Sequence, residues 1–162
     1  MKQQGVTSFL RQVNNRRRFN LFLFLKLPAA YLCGVRLREV TEDHAVATVP
    51  FRWISQNPFR SIYFACLAMA AELSTGILAM AFLNGRKPRV SMLVVRMEAD
   101  FRKKGTGLVS FTCRDGEGFR TAVDQASATG ESVQFTASAI GHNASGEVVA
   151  EFRFTWSFKA KV

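Results

Sequence analysis

Beyond Gly34 the chain alternates apolar and polar residues over long runs, the period of a strand with one face buried and one face wet. From Val148 to Lys159, the residues Val148, Ala150, Phe152, Phe154, Trp156 and Phe158 share one face; Glu151, Arg153, Thr155, Ser157 and Lys159 share the other. Ser132 to His142 alternates likewise, with Val133, Phe135, Ala137 and Ala139 set against Gln134, Thr136 and Ser138. The group Asn143-Ala144-Ser145-Gly146 between these runs predicts a hairpin. A long strand is predicted from Val90 to Arg102, with Ser91, Leu93, Val95, Met97, Ala99 and Phe101 on one face. Shorter strands are predicted at Leu108 to Cys113, and at Val35 to Val40 and Ala45 to Phe51, the last two joined at Thr41-Glu42-Asp43-His44. Phe119, Ala122, Val123 and Ala126 recur at helical spacing, so a short helix is expected near Gly118 to Ala128.

The run from Ser61 to Leu83 breaks this period. It is rich in Ala, Leu and Met and poor in β-branched residues, which favours helix. Apolar residues cover every face of it, so the helix is either a domain core or a membrane span. Glu72 is the one side chain in it expected to carry a formal charge, and a carboxylate in such company needs a partner, a raised pKa or a chemical role. Nearer the N-terminus, Arg16-Arg17-Arg18 precedes an apolar run, Phe19 to Leu25, which is interrupted by Asn20 and ended by Lys26 and Pro28. That pattern fits neither a signal peptide nor a membrane-crossing helix. It predicts an amphipathic helix over roughly Ser8 to Leu25, whose Phe and Leu residues either pack on the domain or rest on an anionic membrane surface. The expected organisation is an N-terminal amphipathic helix and connector, 1–34, and one α+β domain, 35–162, whose apolar helix covers the buried face of an antiparallel sheet.

A length of 162 residues suits one domain with a substantial core. The net charge of +10, from 22 Lys and Arg against 12 Asp and Glu, draws anionic partners without specifying the fold. The basic residues are scattered and no nucleic-acid motif accompanies them, so specific nucleic-acid binding is the weakest reading. Cys33, Cys66 and Cys113 are odd in number and widely spaced among apolar neighbours, which reads as reduced thiols in a cytoplasmic setting. With only His44 and His142 and no Cys/His cluster, neither a zinc site nor a cofactor is expected.

The segment Asn57-Pro58-Phe59-Arg60-Ser61-Ile62-Tyr63-Phe64-Ala65-Cys66-Leu67-Ala68-Met69-Ala70-Ala71-Glu72 resembles the loop-and-helix signature of the hotdog thioesterase superfamily, and most of all its DUF4442 branch. The strand opening at Val90-Ser91 and the closing hairpin at Gly146-Glu147-Val148-Val149-Ala150 fit as well, so the likeness covers roughly Val35 to Lys159. The resemblance implies the hotdog fold, a curved antiparallel sheet wrapped around a long central α-helix, here with an extra N-terminal helix. It also implies an acyl-thioester hydrolase acting on acyl-CoA or an acyl-carrier thioester. Homodimers, or dimers of dimers, with sites at the subunit boundary go with that family.

In the thioesterases that this chain resembles, a loop Asn or Gln precedes a helical Asp or Glu, and Asn57 stands fifteen positions before Glu72. The resemblance gives Glu72 the part of general base or nucleophile. It gives Asn57 the positioning of water or thioester, and Ser91 the orienting of water. Free backbone N–H groups at Phe64 and Ala65 would polarise the carbonyl. Catalytic members usually place glycines where the helix begins; here Ile62, Tyr63, Phe64 and Ala65 occupy that turn.

Thioester hydrolysis also needs an apolar place for the acyl tail, and Tyr63, Phe64, Leu67, Met69, Met92 and Met97 are candidates to line one. Arg60, Arg86, Lys87, Arg89, Arg102, Lys103 and Lys104 are candidates for the phosphates of the leaving group. Plainer roles stay open: Glu72 hydrogen-bonded to Ser74, Thr75 or a partner subunit, Asn57 as a turn residue before Pro58, Ser91 as a small residue in the sheet. The alternative function is a non-catalytic fatty-acyl or lipid binder using the same tunnel.

Overall fold

The computed structural model describes residues 2–161, with side chains from Gln4 onward, so Met1 and Val162 of the two expected units lie outside the described residues. In chain order the elements are α1 (Lys2–Val13), α2 (Arg16–Lys26), α3 (Pro28–Leu32), β1 (Arg36–Val40), β2 (Ala45–Pro50), a 3₁₀ turn (Trp53–Ser55), α4 (Phe64–Leu83), β3 (Val90–Phe101), β4 (Leu108–Cys113), α5 (Gly116–Thr129), β5 (Val133–His142) and β6 (Val148–Ala160). The strands form one antiparallel six-stranded sheet in the order β1-β2-β4-β5-β6-β3. Helix α4 packs across it, meeting strands β1, β2, β4, β5 and β6. This is the hotdog arrangement of the expected α+β class.

Thirteen of the twenty residues of α4 are buried. The apolar helix is therefore the domain core, with the sheet doing for it what lipid would do for a membrane span. The inner face of the sheet answers it with Phe111, Phe152 and Phe158, all at most 1% exposed, set edge to face along the Phe111–Phe152 and Phe119–Phe158 contacts. The β1–β2 turn is closed by Thr41, whose Oγ1 accepts from the N–H groups of Asp43 and His44. At the β5–β6 hairpin Gly146 sits at φ 80°, the left-handed conformation that the predicted turn demands.

Two expectations are corrected. The single N-terminal helix over Ser8 to Leu25 is two helices, and the first begins at Lys2. Asn15 breaks them by capping α2, accepting from the Arg18 N–H, while Asn14 reaches across to the backbone of Val40 with both its amide oxygen and its amide nitrogen. The uniform face expected for β3 is split as well. Register slips between Val94 and Arg96, so Met92 and Val94 oppose Phe158 and Trp156, and beyond the bulge Met97 and Ala99 oppose Phe154 and Phe152. One extra residue reverses the sidedness of everything before it.

The helices before β1 are not a detached appendage. Val6, Val13, Phe19, Leu23 and Ala30 join the same core cluster as α4, and Leu23 is fully buried. At the other edge of the sheet, β3 has β6 on one side and, among the described residues, no strand on the other. It exposes Leu93, Val95, Met97 and Phe101, each by 46% or more.

Candidate functional site

Glu72 stands on α4, eight residues beyond the first helical residue, Phe64. Its carboxylate lies over Gly76: a Cβ built on that glycine would sit 3.1 Å from Glu72 Oε1 and 3.2 Å from the Trp156 ring. A mid-helix glycine costs about 1 kcal/mol against alanine, and here it makes room for an indole and a carboxylate side by side. Trp156 Nε1 donates to Thr75 Oγ1 at 3.2 Å. Thr75 and Ser74 spend their own protons on the Glu72 and Ala71 carbonyls. Neither hydroxyl caps the Glu72 carboxylate, which makes no hydrogen bond or ion pair among the described residues. Burial without a partner raises its pKa above the ordinary 4.5.

The carboxylate opens into a cavity of about 250 Å³ walled by Leu73, Ile77 and Met80 of α4, Met92 of β3, Trp156 of β6 and, from α2 and the residue after it, Phe22, Lys26 and Leu27. A second cavity of about 260 Å³ adjoins it through Phe22, Ile77 and Met80 and runs on to Phe9, Gln12 and Arg18 between the N-terminal helices and α4. Together they form an apolar groove that starts at Glu72.

A separate cavity of about 600 Å³ lies at the start of α4, where Asn57, Tyr63, Phe64 and Leu67 meet Phe101, Arg102, Lys103 and Lys104. The N–H groups of Phe64 and Ala65 have no acceptor among the described residues; the first helical hydrogen bonds come from Cys66 and Leu67, both to the Tyr63 carbonyl. Asn57 builds the loop before the helix. Its Oδ1 accepts from the N–H groups of Phe59 and Ser61, and its Nδ2 donates to Ser61 Oγ and the Ile62 carbonyl. The turn forces Arg60 to φ 58°.

The predicted residues therefore divide. Glu72 and Met92 share one cavity; Asn57, Tyr63, Phe64 and Leu67 share another. Ser91 joins neither, because its neighbour Met92 faces inward and alternation turns Ser91 outward, where Oγ donates to the Lys159 carbonyl at 3.0 Å. Met69 packs partly buried against the core and Met97 lies half exposed on the edge strand, both away from the Glu72 cavity. Among the proposed phosphate contacts, Arg86 is buried and committed: its Nε donates to the Phe82 carbonyl and its guanidinium pairs with Asp124. Lys103 pairs with Glu147, and Arg102 lies 3.7 Å from Glu151. Phe22, Lys26, Leu27, Gly76 and Trp156 escaped the sequence reading. Only Gly76, a glycine one helical turn beyond the lone carboxylate, carried a local signal of the site.

The family described as Domain of unknown function (DUF4442) matches residues 15–158. No curated protein matches the chain. Among solved structures, the fold is similar to that of a Pseudomonas aeruginosa protein of unknown function described as a probable thioesterase, at 22% identity and TM-score 0.75, covering 90% of this chain and 96% of that one. It is similar to a mutant thioesterase from the same organism at 15% identity and TM-score 0.69, covering 94% and 99%. A thioesterase from Haemophilus influenzae is similar at 11% identity and TM-score 0.65, covering 90% and 91%. At these identities the likeness establishes the fold.

Proposed function

The chain belongs to the DUF4442 family, and from that premise we propose that it is an acyl-thioester hydrolase, acting on acyl-CoA or an acyl-carrier thioester as a homodimer in which each site draws on both copies. The observation that carries this reading is the unpaired carboxylate of Glu72 at the head of an apolar groove, its pKa raised by burial. As general base it takes a proton from water while the water oxygen attacks the thioester carbon; the C–S bond then breaks and the thiol leaves with a proton.

The developing oxyanion needs donors, and one chain does not place them within reach. Eight residues of helix separate Phe64 from Glu72, roughly 12 Å at the α-helical rise, whereas the reacting carbon must lie about 3 Å from both base and donors. An antiparallel pairing of two α4 helices about a two-fold axis near Ala68 would set residue 64 of one copy opposite residue 72 of the other. Phe64, Ala65, Ala68, Met69 and Glu72 form the partly accessible stripe of α4, and the alanines permit close approach. The unpaired apolar edge of β3 favours the same self-complementary contact. The partner subunit's Phe64 and Ala65 then offer their N–H groups to the carbonyl. The basic rim of the larger cavity, Arg102 and Lys104, faces the phosphates of the leaving group. Asn57 acts by shaping the helix start, its amide being spent within its own loop.

The acyl chain follows the groove from Glu72 past Met80, again roughly 12 Å. An extended chain advances about 1.2 Å per bond, so acyl groups of around ten carbons fit best. The test is a panel of acyl-CoA thioesters of rising chain length with wild type, Glu72→Ala and Glu72→Gln, alongside the mass in solution. Turnover that peaks at intermediate length in a dimer and falls by about 10²-fold or more in both variants is the expected result. Bound fatty ligand without turnover would make the protein a binder, and full activity in a monomer would remove the shared site.

A further inference from the structure

Helix α2 is apolar on two sides, and the domain uses only one of them. Phe19 and Leu23 are buried in the core, Phe19 beside Ile77 and Met80 of α4, while Leu21, Phe24 and Leu25 stand on the opposite side of α2, exposed by 59%, 51% and 62%. On the next helix Leu32 is likewise 58% exposed, and the Phe24 ring meets Tyr31 of that helix edge to face at 5.3 Å. Four large apolar side chains this exposed within residues 21–32, on two consecutive helices, are a concentration rather than the scattered single residues usual on a protein surface.

Charge identifies what covers it. Residues 1–38 contain eight Lys and Arg and no Asp or Glu; the first acid in the chain is Glu39. Arg16, Arg17 and Lys26 are all exposed on the helix that bears the patch, and helical spacing puts Arg17 in line with Leu21 and Leu25. We propose that the α2–α3 face docks on an anionic phospholipid surface, with the helix lying in the plane of the interface, its leucines and Phe24 among the acyl chains and its arginines among the phosphates. A second copy of this chain would bring the same cations against themselves, which disfavours self-association through this face.

The position matters as much as the composition. Phe22, Lys26 and Leu27, on the same stretch of chain, form the outer wall of the groove that begins at Glu72. Docking would therefore set the groove beside the lipid. That consequence rests on the acyl-hydrolase reading, but the docking itself does not.

Co-sedimentation with vesicles of phosphatidylcholine alone, and of phosphatidylcholine with phosphatidylglycerol, tests it on the full chain. Binding is expected only to the anionic vesicles and should weaken with salt. Arg16→Gln and Arg17→Gln should each cost roughly fivefold in affinity, and Leu21→Gln and Leu25→Gln a similar factor. These side chains point outward, so thermal melting should be unchanged in all four variants. The docking is overturned if the protein ignores anionic vesicles or binds neutral ones equally. It is also overturned if Leu21→Gln and Leu25→Gln keep vesicle binding but lower the mass in solution, which would assign the face to a second copy. Hydrolysis of soluble acyl-CoA should survive all four substitutions, so loss of docking and failure of the hydrolase reading are separately visible.

Discussion

Exchanging Glu72 for glutamine preserves shape and removes a charge, and the structure sets two readouts moving in opposite directions. Turnover should fall by about 10²- to 10⁴-fold, the usual worth of a positioned general base. Stability at neutral pH should rise. The reason is burial of the carboxylate among Leu73, Ile77, Met80, Met92 and Trp156 without a hydrogen-bond partner, which holds its folded pKa above the ordinary 4.5. Below 4.5 the carboxyl is neutral in both the folded and unfolded chain, and pH changes nothing. Above it the unfolded chain releases the proton while the folded chain keeps it, so wild type loses stability relative to Glu72→Gln as pH climbs toward the raised value. One proton sets a ceiling on the slope of about 1.4 kcal/mol per pH unit, or roughly 3–6 °C of melting temperature per unit for a chain of this size. Once pH passes the folded pKa, the difference levels off. Paired melting curves of the two proteins from pH 4 to pH 9 give the answer directly. Lys26 is the one other charged residue lining the cavity, and it supplies the refuting outcome. If Lys26 closes on Glu72, the folded pKa falls, the carboxylate stabilises the fold, and wild type becomes the more stable protein as pH rises.

Leu23→Ala should destabilise by about 3 kcal/mol, since the side chain is fully buried between α2 and the core; an unchanged melting temperature would mean that α2 is an appendage after all. Asn57→Ala should cost about 1–2 kcal/mol by leaving the backbone N–H groups of Phe59 and Ser61 without their acceptor. Asn57→Asp, which keeps that acceptor, should recover most of the loss in urea titrations. Cys33 Sγ and Cys66 Sγ lie 3.4 Å apart, linking the end of α3 to the first turn of α4, and burial pushes the Cys66 thiol up to about 12. A mild thiol oxidant should therefore join them slowly, lowering the mass by two hydrogens and raising stability by about 3–4 kcal/mol. Cys66→Ser should abolish both changes.

Much of the fold could be read from side-chain periodicity because burial imposes it residue by residue. The alternation of Phe152, Phe154, Trp156 and Phe158 specifies a half-buried strand wherever that strand lies, and the Ala, Leu and Met content of α4 specifies a helix whatever encloses it. The lone carboxylate of that helix could be picked out for the same reason. The inner and outer faces of β3 could not, because the bulge at Val94 to Arg96 is a matter of register against β6, which no single strand contains. Alternation sets Ser91 and Met92 on opposite faces in any register; that slip decides that the methionine, and not the serine, is the one turned toward Glu72.

The sequence by itself determined the strands, the apolar helix α4 and the short helix α5, and that one ionisable group would sit in apolar company, since all of these follow from local composition and spacing. Only the tertiary structure decided what surrounds that group. The wall of Phe22, Lys26 and Leu27 comes from a helix and the residue that ends it, some fifty residues earlier, and Trp156 comes from the last strand. Pairings between segments so distant leave no periodic trace in either, because each is set by the packing of whole elements rather than by the preferences of any residue within them.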